Sequence, residues 1–239
     1  MEGHALSPSI ENKISFPYLL LLVSGGHSQY IIVRGLNNYK QIGTTIDDAV
    51  GEAFDKTAKI LNLGYPGGPC VEKFSKLGNK NSFVLPQPII NRGGCNMSFA
   101  GLKTDVLRKS KNIKSDQDKY NLAASFQETI NKILRKKTEI AMLEFRQKTS
   151  NNSTSPFVVA GGVAANDTIR KNLKDLSKKM NFKPIFPSKE FCGDNAAMIA
   201  WAGIQRYKKK LFNKKSEIVR SRWPLDSKAP FLKGPGLKL

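Results

Sequence analysis

The chain has 239 residues, 40% of them hydrophobic and 24% charged, and its 39 Lys and Arg against 19 Asp and Glu give a formal net charge of +20. This composition supports a buried core and excludes an intrinsically disordered chain. The charge predicts an anionic partner, first of all nucleic acid and less often acidic lipid headgroups. Membrane spanning is excluded as well, because the most apolar run, 16–23, is far shorter than the roughly 20 residues that a bilayer helix needs.

The cysteines and the first residues indicate the compartment. Cys70, Cys95 and Cys192 show no C-x-x-C spacing, and the opening residues lack the basic and apolar pattern of a signal peptide. Isolated cysteines of this kind are typical of reduced thiols in a cytosol-like compartment. We therefore expect a cytoplasmic protein.

The positive charge is concentrated in three runs, at 103–114, 135–137 and 205–239. The last run holds eleven Lys or Arg against two acidic residues. A single run of like charge is most often a solvated helix face or a disordered end. Three runs of one sign, with Pro and Gly in the last, favour a basic flexible tail, which we place at 210–239.

In the first part of the chain, hydrophobic patterning predicts three strands and a helix. The runs 17–23 and 28–34 flank the Gly25-Gly26 turn, and 39–43 follows closely, so we expect an antiparallel meander. Apolar residues then recur at helical spacing from Thr45 to Leu61, and Gly64 ends that helix.

Further along the chain, helices dominate. We expect a loop at 65–69 (YPGGP), because proline and paired glycines do not continue a helix, and two long helices at 117–131 and 132–149. This region is typical of a helical insertion.

The last elements alternate between strand and helix. The patterns predict a buried strand at 157–160, a Gly161-Gly162 turn, a helix at 164–180, a short strand at 184–186 and a helix from about 194 to 208. The chain is therefore predicted to be α/β.

Three glycine-rich loops are the strongest candidates for a binding site: 23–28 (VSGGHS), 65–69 (YPGGP) and 157–166 (FVVAGGVAAN). Glycine lets a phosphate or sugar approach the backbone, and a helix that begins beside it presents unpaired N–H groups. Each loop alone is explained equally well by a tight turn or by packing. Together they favour a nucleotide cleft.

Few side chains suggest catalytic chemistry. His4 and His27 are the two histidines, and a lone histidine is usually structural or merely exposed. Asp194 precedes an apparent helix, where aspartate is first of all a good N-cap. The sequence contains neither H-E-x-x-H nor G-x-S-x-G, which argues against a zinc protease and an α/β-hydrolase. No catalytic residue is assigned.

Seven blocks of the sequence follow one another in a distinctive order: MEGHALSP (1–8), LLVSGGHSQ (21–29), DDAVGEAFDKTAKILNLGYPGGP (47–69), FAGLKTD (99–105), AASFQETI (123–130), VVAGGVAAN (158–166) and FCGDNAAMIAWAG (191–203). In this order they resemble the tRNA N6-adenosine threonylcarbamoyltransferase family, whose older label was glycoprotease or O-sialoglycoprotein endopeptidase. The blocks are spread over 1–203, so the resemblance extends over nearly the whole chain.

The resemblance implies an α/β fold of the actin-like, Hsp70-like and sugar-kinase-like ATPase class, with duplicated RNase H-like halves of which the first is largely missing. On that basis we expect four segments. They are 1–43, the remainder of the first half with the VSGGH hairpin; 44–150, a helical region with the YPGGP loop and the insertion; 151–209, the GGVAAN and CGDNAA elements of the second half; and 210–239, the tail.

The resemblance also implies a reaction. A threonylcarbamoyl group moves from threonylcarbamoyl-AMP to N6 of the adenosine 3′-adjacent to the anticodon, in tRNAs that read ANN codons. The implied partners are tRNA, threonylcarbamoyl-AMP and other proteins of the same modification pathway, without a membrane.

Site residues follow from the resemblance position by position. The substrate-contacting positions are Val23, Ser24, Gly25, Gly26, His27, Asp55, Gly68 and Asn166. His4 and Asp194 match two ligands of one divalent ion, Fe²⁺ first, with Zn²⁺ or Mn²⁺ as alternatives.

One departure from the family is that its H-x-E-G-H metal motif begins with a histidine that precedes Met1. We therefore expect a fragment that is metal-poor and inactive alone, or one whose N-terminal half is a separate chain. Two alternatives stay open: an inactive tRNA- or partner-binding module, and a sugar-kinase-like ATPase.

Overall fold

The computed structural model describes residues 1–150, 153–212 and 223–229. Its centre is a five-stranded sheet in the order β3-β2-β1-β4-β5. The strands are β1 (Tyr18–Val23), β2 (Ser28–Gly35), β3 (Asn38–Thr44), β4 (Ser155–Ala160) and β5 (Phe182–Ile185). The helices are α1 (Glu2–Leu6), α2 (Pro8–Glu11), α3 (Val50–Ile60), α4 (Gly67–Ser75), α5 (Ala100–Ser110), α6 (Asp116–Thr149), α7 (Asp167–Lys179) and α8 (Ala196–Lys208). The predicted α/β class is confirmed.

The sheet joins an antiparallel meander to two parallel strands. β1 and β3 each pair antiparallel with β2, β1 pairs parallel with β4, and β4 pairs parallel with β5. The predicted meander and the predicted strand at 157–160 are therefore confirmed. β1 is the central strand, and all six of its residues are buried, as expected for a strand covered on both faces.

The sheet joins two of the predicted segments. β1 comes from segment 1–43 and β4 from segment 151–209, and Leu20 lies beside Val158 and Leu22 beside Ala160 in one ladder. The two segments therefore contribute strands to the same sheet, and the division of the chain into four segments stays a prediction. Pairing between strands so far apart in sequence leaves no trace in local periodicity.

Alternate residues of β1 enter two different cores, as the period of a strand requires. Leu19 and Leu21 join the larger core, in which Phe54 of α3 packs edge-on against Phe126 of α6. Leu20 and Leu22 enter the smaller core on the opposite face, beneath α1. α8 packs against α1 on that second face.

α6 is one continuous helix of 34 residues, so the prediction of two helices divided at 131/132 is wrong. It begins with a capping box at Ser115 and Asp118 and ends at Ser150 in the left-handed conformation. The basic run at 135–137 lies in its middle. Lys137 is fully buried there, where Nζ donates to the carbonyls of Arg92 (2.7 Å) and Gly94 (3.2 Å). This residue is not part of a solvated face.

Several boundaries also differ from the expectation. α3 begins at Val50 rather than Thr45, because Asp47 turns away and accepts from the backbone N–H groups of Phe99 (2.8 Å) and Ala100 (3.2 Å) at the start of α5. α4 begins at Gly67, inside the stretch predicted as loop, since Pro66 tolerates the position before the first helical residue. The helix expected at 164–180 begins at Asp167, after a 3₁₀ turn at Gly162–Ala165.

Most of the predicted basic tail, 210–239, lies outside the described residues. Within 223–229, Asp226 is buried and its Oδ2 accepts from the backbone N–H of Gln41 on β3 (3.0 Å). This part is anchored to the sheet rather than free. None of the helices described is both long and apolar enough to cross a membrane.

Candidate functional site

A cavity of about 460 Å³ lies beyond the carboxyl ends of β1 and β4. In open α/β sheets, ligands bind in this place, because loops from adjacent parallel strands meet there. The cavity is lined by Gly25, Gly51, Phe54, Asp55, Pro66, Gly68, Pro69, Glu72, Gly162, Val163, Ala165, Asn166 and Lys189. It brings together four of the predicted substrate-contacting residues, Gly25, Asp55, Gly68 and Asn166.

Two of the Gly-Gly pairs, Gly67-Gly68 and Gly161-Gly162, each have one glycine that packs and one that opens onto the cavity. A Cβ on Gly67 would lie 2.4 Å from Asp55 Cα, and a Cβ on Gly161 would lie 2.3 Å from the Val23 carbonyl oxygen. Gly161 also has a φ of 99°, which strains other residues. Gly68 and Gly162 have no protein atom within 4 Å of such a Cβ. The first glycine of each pair serves the fold, whereas the second leaves room for a ligand.

The VSGGH loop is held closed by its own hydrogen bonds. Ser24 N–H donates to the His27 carbonyl (2.8 Å), and Ser24 Oγ accepts from His27 N–H (3.1 Å). Gly25 and Gly26 have open space around them, whereas Val23 is buried in β1. Of these five predicted positions, Gly25 lines the cavity, and Val23 supports the loop from below.

The same loop sits on the beginning of α3. Ser28 Oγ accepts from Val50 N–H (2.9 Å), and the Ser24 carbonyl accepts from Gly51 N–H (3.2 Å). A Cβ on Gly51 would lie 2.6 Å from the Ser24 oxygen, so glycine is required for this approach. The glycine loop and the helix that carries Asp55 are thereby fixed relative to one another.

Asp55 connects α3 to α4. Its Oδ1 accepts from the backbone N–H of Gly67 (3.1 Å), and the residue is exposed on the cavity wall. A carboxylate in this position accepts hydrogen bonds from hydroxyl groups such as those of a ribose. Asp55 therefore both orients the YPGGP turn and offers an acceptor to a ligand.

Asn166 has a structural role that the sequence did not predict. Its Oδ1 accepts from Ile169 N–H (2.9 Å) as the N-cap of α7, and its Nδ2 donates to Gln127 Oε1 (2.8 Å). The residue is buried at the cavity wall. The oxygen and the nitrogen of its amide thus each have one partner in the protein, and each keeps one further hydrogen-bonding site.

Sequence reasoning missed two charged residues that line the cavity, Glu72 and Lys189. Glu72 Oε1 accepts from the backbone N–H groups of Asp167 (2.8 Å) and Thr168 (3.3 Å), where α7 begins. Lys189 Nζ lies 2.7 Å from Asp167 Oδ2. Glu72 lies one helical turn after Gly68 and so shares its face. That signal was hidden because no helix was expected there.

The predicted metal ligands are in contact. His4 Nε2 lies 2.9 Å from Asp194 Oδ1, with His4 buried and the Asp194 side chain almost fully exposed. Asn195, not Asp194, caps α8, since its Oδ1 accepts from Met198 N–H (2.8 Å). The interpretation of Asp194 as an N-cap is therefore wrong, and its carboxylate contacts His4 instead.

The His4 imidazole suits metal binding electrostatically. Burial lowers its pKa below the usual 6.5, although the neighbouring Asp194 carboxylate opposes that shift. The neutral ring is the form that ligates metals. Its Nδ1 is buried without a hydrogen-bond partner. Within the described residues, no group of three or more His, Cys, Asp or Glu side chains could hold a metal ion.

The pair lies close to the glycine loop. Burial lowers the pKa of His27, and the nearby positive charges, that of His4 among them, lower it further. His4, and with it the His4–Asp194 pair, therefore lies near His27 of the VSGGH loop.

The sheet and cavity define an α/β protein with a nucleotide-type cleft at the ends of its central strands. Comparison with known proteins narrows this class. The family model described as tRNA N6-adenosine threonylcarbamoyltransferase matches residues 1–201. The chain belongs to that family, which has the actin-like ATPase fold, so the resemblance and the fold class predicted from the sequence are confirmed.

Curated relatives of the same name agree. The protein of Pelagibacter ubique (strain HTCC1062) is 56% identical over 239 residues, covering 100% of this chain and 67% of the relative. That of Rickettsia rickettsii (strain Sheila Smith) is 50% identical over 228 residues, covering 95% and 66%. That of Rhizobium meliloti (strain 1021) is 47% identical over 239 residues, covering 99% and 66%. The chain spans about two thirds of the length of these relatives, and its family is one of transferases that modify tRNA.

Proposed function

We propose that the chain transfers a threonylcarbamoyl group from threonylcarbamoyl-AMP to N6 of the adenosine 3′-adjacent to the anticodon of tRNAs that read ANN codons. The observation that carries this proposal is the cavity in which Gly25, Asp55 and Gly68 meet. Family membership supports the reaction type, because the relatives are named for this transfer.

The cavity suits the AMP part of the donor. Its volume of about 460 Å³ is within the range of small-molecule sites. Gly25, Gly68 and Gly162 let phosphate and sugar approach the backbone, because nothing in the protein fills the space where their side chains would be. Asp55 offers an acceptor for ribose hydroxyls.

The transfer needs placement rather than a protein nucleophile. N6 bonds to the carbonyl carbon of the mixed anhydride, the bond to the phosphate oxygen breaks, AMP leaves, and N6 loses a proton. An aromatic amine is a poor nucleophile, so holding both reactants in position lowers the barrier most directly. Cys95 and Cys192 are unsuited to covalent catalysis, because burial raises the pKa of both thiols. Neither lines the cavity.

We also propose that His4 and Asp194 hold one divalent ion. One imidazole nitrogen and one carboxylate suit Fe²⁺, with Zn²⁺ and Mn²⁺ as alternatives. When bound, such an ion supplies Lewis acidity. The support in this chain is the 2.9 Å contact, the buried His4 ring and the exposed Asp194 carboxylate.

tRNA is the proposed macromolecular partner in the cytoplasm, and the net charge of +20 supports an anionic partner. The target base must leave its stacked position in the loop to reach a cavity of this size. Further proteins of the modification pathway, or a separate N-terminal half, are proposed as additional partners.

The test is transfer by the purified full chain. The chain is incubated with threonylcarbamoyl-AMP and a transcribed tRNA that reads ANN codons. The tRNA is then digested to nucleosides, which are identified by mass spectrometry. We expect modified adenosine from this tRNA and none from a transcript with guanosine at the target position. Gly68→Leu fills the cavity and is expected to abolish transfer. Gly203→Leu, at an exposed helical glycine on α8 that also has open space around it, leaves transfer intact.

Other outcomes decide between the alternatives. If tRNA binds but stays unmodified under every metal tested, the chain acts as a binding module. If a sugar is phosphorylated in the presence of ATP, the kinase-like alternative is correct. Equal transfer by Gly68→Leu and the native chain contradicts the cavity as the donor site.

A further inference from the structure

A second concave surface of about 360 Å³ lies along α7, outside the cavity. We call it the α7 groove. It is lined by Asp167, Arg170, Lys171, Lys174, Asp175 and Lys178. Four of these six side chains are cationic, so the groove attracts anions despite its two carboxylates.

Lys171, Lys174 and Lys178 form the exposed row of this groove. They are spaced i, i+3 and i+7, which places them on one helix face over about 10 Å of its length. Within the part of the chain that the structure describes, none of the three pairs with a carboxylate. An extended row of ammonium groups that have no carboxylate partner matches successive phosphates of a nucleic acid strand.

Several side chains of the groove are held in place by contacts with neighbouring elements. Arg170 Nη2 donates to the Pro187 carbonyl (2.6 Å), and its guanidinium lies 5.2 Å from the centre of the Phe186 ring. Lys174 Nζ lies 5.6 Å from the same ring. Asp167 is neutralised by Lys189, which lowers its pKa. The groove therefore presents preformed positive charge.

The groove adjoins the cavity. Lys189 lines the cavity and pairs with Asp167, which lines the groove. Glu72, also on the cavity wall, accepts from the backbone N–H of the same Asp167. A chain of phosphates lying along α7 would thus end at the entrance to the cavity.

We infer that the α7 groove binds the phosphodiester backbone of the RNA whose base enters the cavity. The identification of that RNA as tRNA rests on the proposed function. Phosphate contacts of this kind position a nucleic acid without reading its sequence. The three lysines are accordingly assigned to affinity and placement.

A membrane is the less suitable anionic partner. A helix that lies on a bilayer inserts an exposed apolar face between headgroups. The apolar face of α7 is instead buried in the protein core, through Ile169, Leu173 and Leu176. Lysines on a concave surface with no exposed apolar neighbour on the helix favour a strand of RNA.

The experiment compares two triple variants of the full chain. Lys171→Ala/Lys174→Ala/Lys178→Ala removes the exposed row. Lys59→Ala/Lys111→Ala/Lys114→Ala removes the same charge from exposed lysines that do not line the groove. Affinity for fluorescein-labelled tRNA is measured by anisotropy over a range of KCl concentrations, and thermal unfolding checks that both variants fold like the native chain.

We expect the groove variant to lose affinity about tenfold or more at low salt, and the slope of log affinity against log salt to become shallower by about 2 to 3. The control variant is expected to stay within about twofold of the native affinity. Equal losses in both variants, no loss in the groove variant, or no tRNA binding by the native chain would each overturn the inference. So would groove-dependent binding to phosphatidylglycerol vesicles with tRNA affinity unchanged.

The transfer assay separates this inference from the proposed function. If the native chain binds tRNA through the groove but transfers nothing, the groove is supported and the transferase is refuted. If the native chain modifies tRNA and the groove variant binds tRNA with native affinity, the proposed function is supported and the groove inference is refuted.

Discussion

His4 Nε2 lies 2.9 Å from Asp194 Oδ1, which joins α1 to the turn before α8 across almost the whole described chain. Neither partner is needed for helix capping at that turn, because Asn195 caps α8. The contact also brings a neutral, buried imidazole against an exposed carboxylate. A single contact to so exposed a carboxylate contributes little to stability, and the metal site proposed above gives the pair a further role.

The first prediction concerns metal binding by this pair. His4→Ala and Asp194→Ala should each lower the affinity of the full chain for Fe²⁺ or Zn²⁺ by at least about tenfold, because each removes a direct ligand. Titration calorimetry under anaerobic conditions measures the affinity for the metal alone. His27→Ala, at the other histidine, is the control and should bind metal like the native chain. Native affinity in both His4→Ala and Asp194→Ala would refute the metal site.

The second prediction concerns the two glycines of YPGGP, of which Gly67 packs against the protein and Gly68 faces open space. Gly67→Ala should lower the free energy of unfolding by about 2 kcal/mol, because its Cβ would meet the Asp55 backbone at 2.4 Å. Gly68→Ala should leave stability within about 1 kcal/mol, since the residue is helical and its surroundings are open. Its affinity for AMP should fall by about tenfold. Denaturant unfolding and AMP titration distinguish the two effects.

Gly161 and Gly162 provide an independent test of the distinction between a packing glycine and an open one. Gly161→Ala should be strongly destabilising, because its φ is positive and the Val23 carbonyl lies at 2.3 Å from the added Cβ. Gly162→Ala should affect AMP binding more than folding. If both alanines at either pair destabilised equally, the distinction between packing and open glycines would be wrong.

Local signals in the sequence predicted the parts of the fold that depend on local chemistry. Alternating and continuous apolar runs located the meander and β4, and Gly161 was correctly placed in the turn that follows. The glycine loops likewise predicted that a ligand space would form. Of the predicted substrate-contacting residues, those lining the cavity are Gly25, Asp55, Gly68 and Asn166.

What the sequence left open depends on contacts between distant residues. The pairing of Leu22 with Ala160 has no local signature, so the sequence does not predict that β1 and β4 are neighbours. The division of α6 at 131/132 is a different case, because no Gly or Pro interrupts 116–149 and the sequence itself is compatible with one continuous helix. The amide contact of Asn166 also required its distant partner, Gln127, to be known.

The third prediction separates the two roles of Asp55. Asp55→Ala should lower the free energy of unfolding by about 1 kcal/mol, because it removes the acceptor for Gly67 N–H. Asp55→Asn keeps an oxygen in that position and should stay within about 0.5 kcal/mol of the native stability. Both variants should bind AMP severalfold more weakly if the charged carboxylate accepts ribose hydroxyls. Native AMP affinity in Asp55→Asn would assign the residue to structure alone.

The last prediction concerns Lys137, which stands in a basic run but is buried. Its Nζ donates hydrogen bonds to the carbonyl oxygens of Arg92 and Gly94. Burial lowers the pKa of Lys137. Lys137→Met should lower the free energy of unfolding by about 1 to 2 kcal/mol and speed amide exchange at 91–97, because the loop loses both hydrogen bonds. The neighbouring Lys136→Met, which removes an exposed ion pair with Glu139, should change stability by less than about 0.5 kcal/mol. Similar effects in the two variants would show that burial of the Lys137 ammonium does not fix this loop.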